Sequence, residues 1–187
     1  DFSQVDATLR NLRDNRVLTS DGFSAYDIML ERLCDNLAME ALVSDWLVED
    51  PENSMPHLLR GAWAITAAWS QRGGGFAGTV PEDGWIGFEG YLEQAMISLQ
   101  GAYQLDPQEL LACSKMLTVS MAVLDDATLN QWFQRAIEID PTYWNAYSRK
   151  AWAMYPRWGG NEDELIVFLD ASKQIDPRFG AIKLSWL

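Results

Sequence analysis

Three stretches of the chain close in the same way: Ala102-Tyr-Gln-Leu-Asp-Pro107, Ala136-Ile-Glu-Ile-Asp-Pro141 and Ser172-Lys-Gln-Ile-Asp-Pro177. Asp106 and Asp140 are 34 residues apart, Asp140 and Asp176 are 36 apart, and a further Asp-Pro, at Asp50, precedes Asp106 by 56. The residue before a proline is driven out of the helical region, and proline itself suits the first turn of a new helix. Each Asp-Pro should therefore end one helix and open the next, with the aspartate as N-cap. A period near 34, with a small residue four places before each Asp-Pro, is the mark of stacked helix–turn–helix units. The expected fold is all-α, an array of antiparallel helix pairs with about nine or ten helices over residues 1–187. It divides into N-terminal helices (1–50), a central pair with a loop inserted at 71–85 (51–106), and two repeats with a capping helix (107–187).

Hydrophobic spacing fills in this frame. Phe2, Val5, Leu9 and Leu12 predict a first amphipathic helix, with Arg10, Arg13 and Arg16 on a solvated opposite face. Ser20-Asp21-Gly22 reads as a turn. A second helix should bury Tyr26, Met29, Leu30 and Leu33, and a third Leu42, Trp46 and Leu47. Between residues 57 and 70 almost no polar face remains, which predicts a central buried helix. Further on, Asp125 and Asp126 are expected to cap a helix, Gly159-Gly160 to supply a left-handed turn, and Asn161 with Glu164 to form a capping box. The segment from Arg178 to Leu187 should cover the end of the stack.

One stretch falls outside the repeat. The 56 residues from Asp50 to Asp106 exceed a 34-residue unit by 22, and the surplus coincides with the glycine-rich run 71–85. Long structured insertions are more often functional than short connections. Gly73, Gly75 and Gly78 satisfy G-x-G-x-x-G, but the run follows a helix, Pro81 interrupts it, and no lysine accompanies it. That context argues against nucleotide binding. Arginine beside tryptophan is the composition of binding hot spots, and guanidinium stacks on indole. The candidate surface is accordingly Arg60, Trp69, Arg72, Gly73, Gly75 and Trp85, together with Trp152, Arg157 and Trp158. The plainer alternative is that Arg72 and Arg157 tie loops to helix ends while the tryptophans pack.

Charge and composition exclude other classes. A formal net charge of −13, from 27 acidic and 14 basic residues, disfavours nucleic acid and anionic bilayers, which need a positive footprint. No apolar run reaches the length of a membrane span, so no direct membrane insertion is expected. Cys34 and Cys113 lack metal-site or redox spacing and read as buried thiols, and no metal or cofactor is expected. The single histidine, His57, has no nucleophile-and-acid constellation around it. Because the chain starts at Asp1, a preceding segment is expected; a cytoplasmic location is favoured and a periplasmic one stays open.

The later repeats resemble tetratricopeptide repeats: Ala146, Tyr147, Ala151 and Met154 stand where that pattern has packing residues, with Ala112, Met116 and Ala136 in the preceding unit. A closer resemblance is to a bacterial family of uncharacterised helical proteins. It rests on Ala68-Trp69-x-x-Arg72-Gly73-x-Gly75-x-Ala77-x-x-Val80-x-x-x-Gly84-Trp85-x-x-Phe88 and on Tyr155-Pro-x-Trp158-Gly-Gly160. The resemblance implies a helical-repeat domain with no assigned activity. Chaperone-binding tetratricopeptide domains clamp a peptide carboxylate with basic residues. The matching positions here (among them Leu58, Ala62, Leu111, Asn145 and Trp152) carry none.

The functional expectation is a non-enzymatic interaction module whose partner is another protein or a peptide. Two alternatives stand beside it. One is an immunity or inhibitor protein that covers a toxin with its acidic surface. The other is a hydrolase using paired carboxylates such as Glu82 and Asp83, or Asp125 and Asp126, although adjacent acids are ordinary helix caps and acid–base pairs need separated environments.

Overall fold

The computed structural model describes residues 1–123 and 126–186; Asp125, expected as a capping residue, lies outside the described residues, as does Leu187. The described chain is all-α. Its helices are α1 (Phe2–Asp14), α2 (Ala25–Cys34), α3 (Met39–Glu49), α4 (Ser54–Arg72), α5 (Glu82–Leu105), α6 (Leu110–Val123), α7 (Asp126–Ile139), α8 (Trp144–Ala153) and α9 (Glu162–Ser172). Three 3-10 helices lie among and after them: Ala77–Thr79 between α4 and α5, Pro156–Trp158 between α8 and α9, and Pro177–Trp186 after α9. The only β pairing among the described residues is an isolated bridge between Leu18 and Ser24, at the turn that Gly22 makes with φ +82°. Contacts divide the chain into two compact units, Asp1–Pro107 and Gln108–Leu187.

The Asp-Pro breaks work differently from the expectation. Asp50 and Asp106 are C-caps of α3 and α5, held extended at φ −141° and −139° by the following proline. The proline then enters a two-residue turn rather than a helix, and α4, α6 and α8 each begin four residues after an aspartate. Asn53, not Asp50, caps α4 by accepting from the Met55 N–H at 2.9 Å, and Glu109 accepts from the Leu111 N–H at 3.1 Å. Asp140 folds the turn itself, accepting the N–H and hydroxyl of Thr142, each at 2.8 Å. A chain that reverses direction needs that turn before helical hydrogen bonding can restart.

In the first unit α4 is the hub. Leu58, Leu59, Ala62, Trp63, Ala64 and Ala68 are buried along it, and α2, α3 and α5 all pack against it. Helices α4 and α5 form a long antiparallel hairpin whose axes approach closely at Gly61. A Cβ there would lie 2.5 Å from Leu99 Cγ and 3.2 Å from the Ala95 carbonyl. The other flank of α4 is covered by the N-terminal helices: Trp63 Nε1 donates to the Leu37 carbonyl at 3.1 Å, and the Cys34 thiol faces the Leu59 carbonyl at 3.6 Å. Met29 and Leu42, expected inside, are 41% and 52% exposed. The inward stripes instead run through Tyr26, Leu30 and Cys34 and through Val43 and Trp46, the set a single helix face can present.

Arg16, past the end of α1, is exposed as expected, but Arg10 and Arg13 are not on a solvated face. Arg13 pairs with Asp106 at 2.7 Å, Arg10 stands 3.9 Å from the same carboxylate, and Arg10 also binds Asp6 at 2.9 Å and Asn53 at 2.9 Å. Helix α1 is thereby fastened to the ends of α4 and α5.

In the second unit α6 packs on α7 and α8, and α8 on α9. The core is aromatic. Tyr147 stacks on Phe179 with centroids 4.0 Å apart, Phe133 meets Tyr147 edge-on at 5.2 Å, and the Tyr147 hydroxyl donates to the Pro141 carbonyl at 3.0 Å. Phe179 and Ile182 of the C-terminal 3-10 helix are fully buried against α8 and α9.

Candidate interaction site: two arginine–tryptophan clasps

The 71–85 stretch is less of an insertion than its length implied. Gln71 and Arg72 are the last turn of α4, and Glu82 to Trp85 the first turn of α5. Only residues 73–81 join the two helices, and Ala77–Thr79 among them form a 3-10 turn. Most of the surplus over the repeat is extra helix, since α4 and α5 run 19 and 24 residues where α6 and α7 run 14 each.

Within that loop Arg72 is a clasp. Its guanidinium lies 5.5 Å from the ring centroid of Trp69 and 5.2 Å from that of Trp85, so it joins the end of α4 to the start of α5. Nη1 donates to the Gly73 carbonyl at 3.2 Å and to the Gly75 carbonyl at 3.1 Å. Gly73 carries φ +71°, a conformation side chains resist, and this turns the chain off α4 so that its carbonyls face the guanidinium. Gly84 completes the closure: a Cβ there would sit 3.1 Å from the Gln71 carbonyl and 3.2 Å from Val80. Phe88 meets Trp69 at 5.0 Å and Trp85 at 5.7 Å, anchoring both indoles in the hairpin. The loop held this way presents Phe76, which is 89% exposed.

The second unit repeats the device. Arg157 stands 5.2 Å from the Trp152 ring and 5.3 Å from that of Trp158, whose rings are themselves 5.9 Å apart. Gly159, with φ +87°, supplies the expected left-handed turn. Asn161 then caps α9 by accepting from the N–H groups of Asp163 and Glu164 at 2.8 and 3.2 Å.

Of the predicted residues, Trp69, Arg72, Gly73, Gly75 and Trp85 come together in the first unit, and Trp152, Arg157 and Trp158 in the second. Arg60 joins neither clasp. With the Gln94 amide turned so that its oxygen faces the guanidinium, Arg60 Nε and Nη2 both donate to that oxygen at 2.9 Å, about three turns of α4 from Arg72. Glu82 and Asp83 sit in the first turn of α5, where Asp83 accepts from the Gly84 N–H at 3.0 Å, and Asp126 in the first turn of α7; these are cap positions. His57 binds the Pro51 carbonyl at 2.9 Å. Both cysteines are buried and neither is in a disulfide, and burial pushes Cys113 up to about 12, with nearby Glu109 adding to the shift. Phe76 was not singled out from the sequence. Its signal was a lone aromatic in a run of glycines.

Antiparallel helix hairpins, with an arginine clasped between tryptophans at two glycine-flanked turns, make this an all-α helical-repeat protein. A family profile described as a domain of unknown function, DUF4034, matches residues 2–131, and the chain belongs to that family. The matched span includes the Ala68–Phe88 motif and ends before the Tyr155–Gly160 motif. No curated protein and no solved structure matches the chain.

Proposed function

We propose that this chain is a non-enzymatic protein-interaction module of tetratricopeptide-like build, and that it docks a protein partner on the 73–81 loop with Phe76 as the anchor. The observation that carries the reading is the pairing of a held backbone with a bare aromatic. Arg72 fixes the loop through two indoles and two carbonyls, yet Phe76 at its tip packs on almost nothing. Loop ordering in advance lowers the entropy lost on association, and aromatic anchors dominate interface energies. Ile86, 66% exposed, adds apolar area near the start of α5. The acidic balance of the chain weighs against nucleic acid as the partner. No helix among the described residues is long and apolar enough to cross a membrane.

The test places a photo-crosslinking phenylalanine analogue at position 76 in source cells. Val48, 85% exposed on α3, serves as the control position. One discrete protein adduct at 76, absent at 48 and lost when Arg72 is replaced by Ala, is the expected result. Equal or absent adducts at both positions reject the reading.

A further inference from the structure

The Arg60–Gln94 pair lies in a groove of about 800 Å³ along the α4–α5 hairpin, within the first unit and away from the Arg72 clasp. We propose that this groove binds an extended peptide segment of about six residues that carries one acidic side chain for Arg60. The proposal is independent of docking at Phe76.

The floor is built by spacing on α5. Gly90, Gln94, Ile97, Gly101 and Gln104 recur every three or four residues on one face. Glycine leaves the stripe bare at its start, where a Cβ on Gly90 would meet nothing within 4 Å, and at Gly101 it makes room for the His57 ring. From Gly90 to Gln104 the helix rises about 21 Å, the length of about six residues in extended form.

The polar groups are those that a peptide needs. Arg60 is half-buried, and among the described residues no carboxylate lies within ion-pair distance of it; a neutral amide is its partner. A partly desolvated guanidinium facing only an amide favours an incoming carboxylate, with which it forms strong charge-assisted hydrogen bonds. Pro51 offers His57 only a carbonyl, so Nε2 is the donor there. In the neutral ring Nδ1 is left as an acceptor, and it faces Gly101: a Cβ on that glycine would come within 3.2 Å. Ser98 lines the groove at 6% exposure and brings a hydroxyl to it. Together with the amides of Gln100 and Gln104, these donors and acceptors suit peptide N–H and C=O groups. Glu93, the one carboxylate in the lining, opposes ligands of many negative charges such as polyphosphate or nucleic acid, while a segment with a single acid fits.

The experiment is an NMR titration of the whole isotope-labelled chain with two hexapeptide mixtures, both capped at their termini. They are degenerate at every position but the fourth, which is Glu in one and Gln in the other. The Glu mixture is expected to shift the Arg60 Nε–Hε signal and the side-chain amides of Gln94, Gln100 and Gln104. The Gln mixture should need about tenfold higher concentration, the value of one charged hydrogen bond. Arg60→Met should erase the preference between mixtures. Gly90→Leu, which projects into open space and leaves packing intact, should block both. Phe76→Ala should change nothing. Absence of shifts with the Glu mixture, equal response to both mixtures, a preference for Glu that survives in Arg60→Met, or a response that survives in Gly90→Leu overturns the proposal. The same shifts from inorganic phosphate at equal concentration overturn it too, because they define a bare anion site.

Discussion

The closest approach in the hairpin makes a sharp test of how the first unit is held together. Replacing a helical glycine with alanine normally stabilises by about 1 kcal/mol, through helix propensity. Gly90→Ala should show that gain, since its new methyl meets nothing within 4 Å. Gly61→Ala carries the same gain but places its methyl 2.5 Å from Leu99 Cγ, 2.8 Å from Leu99 Cδ2 and 3.2 Å from the Ala95 carbonyl. Forcing an extra carbon into packed space costs about 1–3 kcal/mol. Gly61→Ala should therefore fall about 1–3 kcal/mol below Gly90→Ala in stability. Leu99→Ala alone should cost about 2–5 kcal/mol by opening a cavity. In the double variant the alanine at 61 occupies part of that cavity, so the effects should couple favourably by more than about 1 kcal/mol. Urea unfolding, followed by tryptophan fluorescence and far-UV circular dichroism, measures all four. If Gly61→Ala stabilises as much as Gly90→Ala, or the double variant is additive within about 0.5 kcal/mol, the hairpin is not held by this contact.

Other outcomes follow from single contacts. The Cys113 thiol is raised from 9.0 to about 12 in the fold, so its folded value exceeds the unfolded one. Stability should be unaffected below pH 9 and decline above it, by about 1.4 kcal/mol per pH unit per proton; Cys113→Ala should flatten the change in urea midpoint between pH 8 and pH 10. Phe179→Ala removes a ring 4.0 Å from Tyr147 and should destabilise the second unit by about 3–5 kcal/mol, read from its thermal unfolding. Arg72→Ala frees the Gly73 and Gly75 carbonyls and both indoles, and should speed limited proteolysis at 73–81 severalfold while the helical circular dichroism stays unchanged. Equal cleavage rates in the two proteins would show that the clasp does not order the loop. Arg13→Met removes the 2.7 Å pair with Asp106 and should raise amide hydrogen exchange in α1 ahead of the rest of the first unit.

Local chemistry was legible in the chain. Proline forces its predecessor out of the helix wherever it occurs, so the Asp-Pro breaks placed the helix ends of α3 and α5 and implied the all-α array. Glycine's tolerance of positive φ likewise marked Gly22 and Gly159, and near-continuous apolarity marked α4 as central. Side-chain partners across distant segments were not legible. Arg10 and Arg13 read as a solvated row because nothing in α1 reveals that Asp106, more than ninety residues on, waits at 2.7 Å. Arg72 and Trp85 could be named as neighbours in composition, but only the antiparallel run of α4 and α5 lays one guanidinium against both indoles. The same applies to Phe76 and to the Arg60 groove. Helix boundaries depend on backbone preferences within a few residues, whereas exposure of a ring and the shape of a groove depend on which distant surface arrives, or fails to arrive, on top of them.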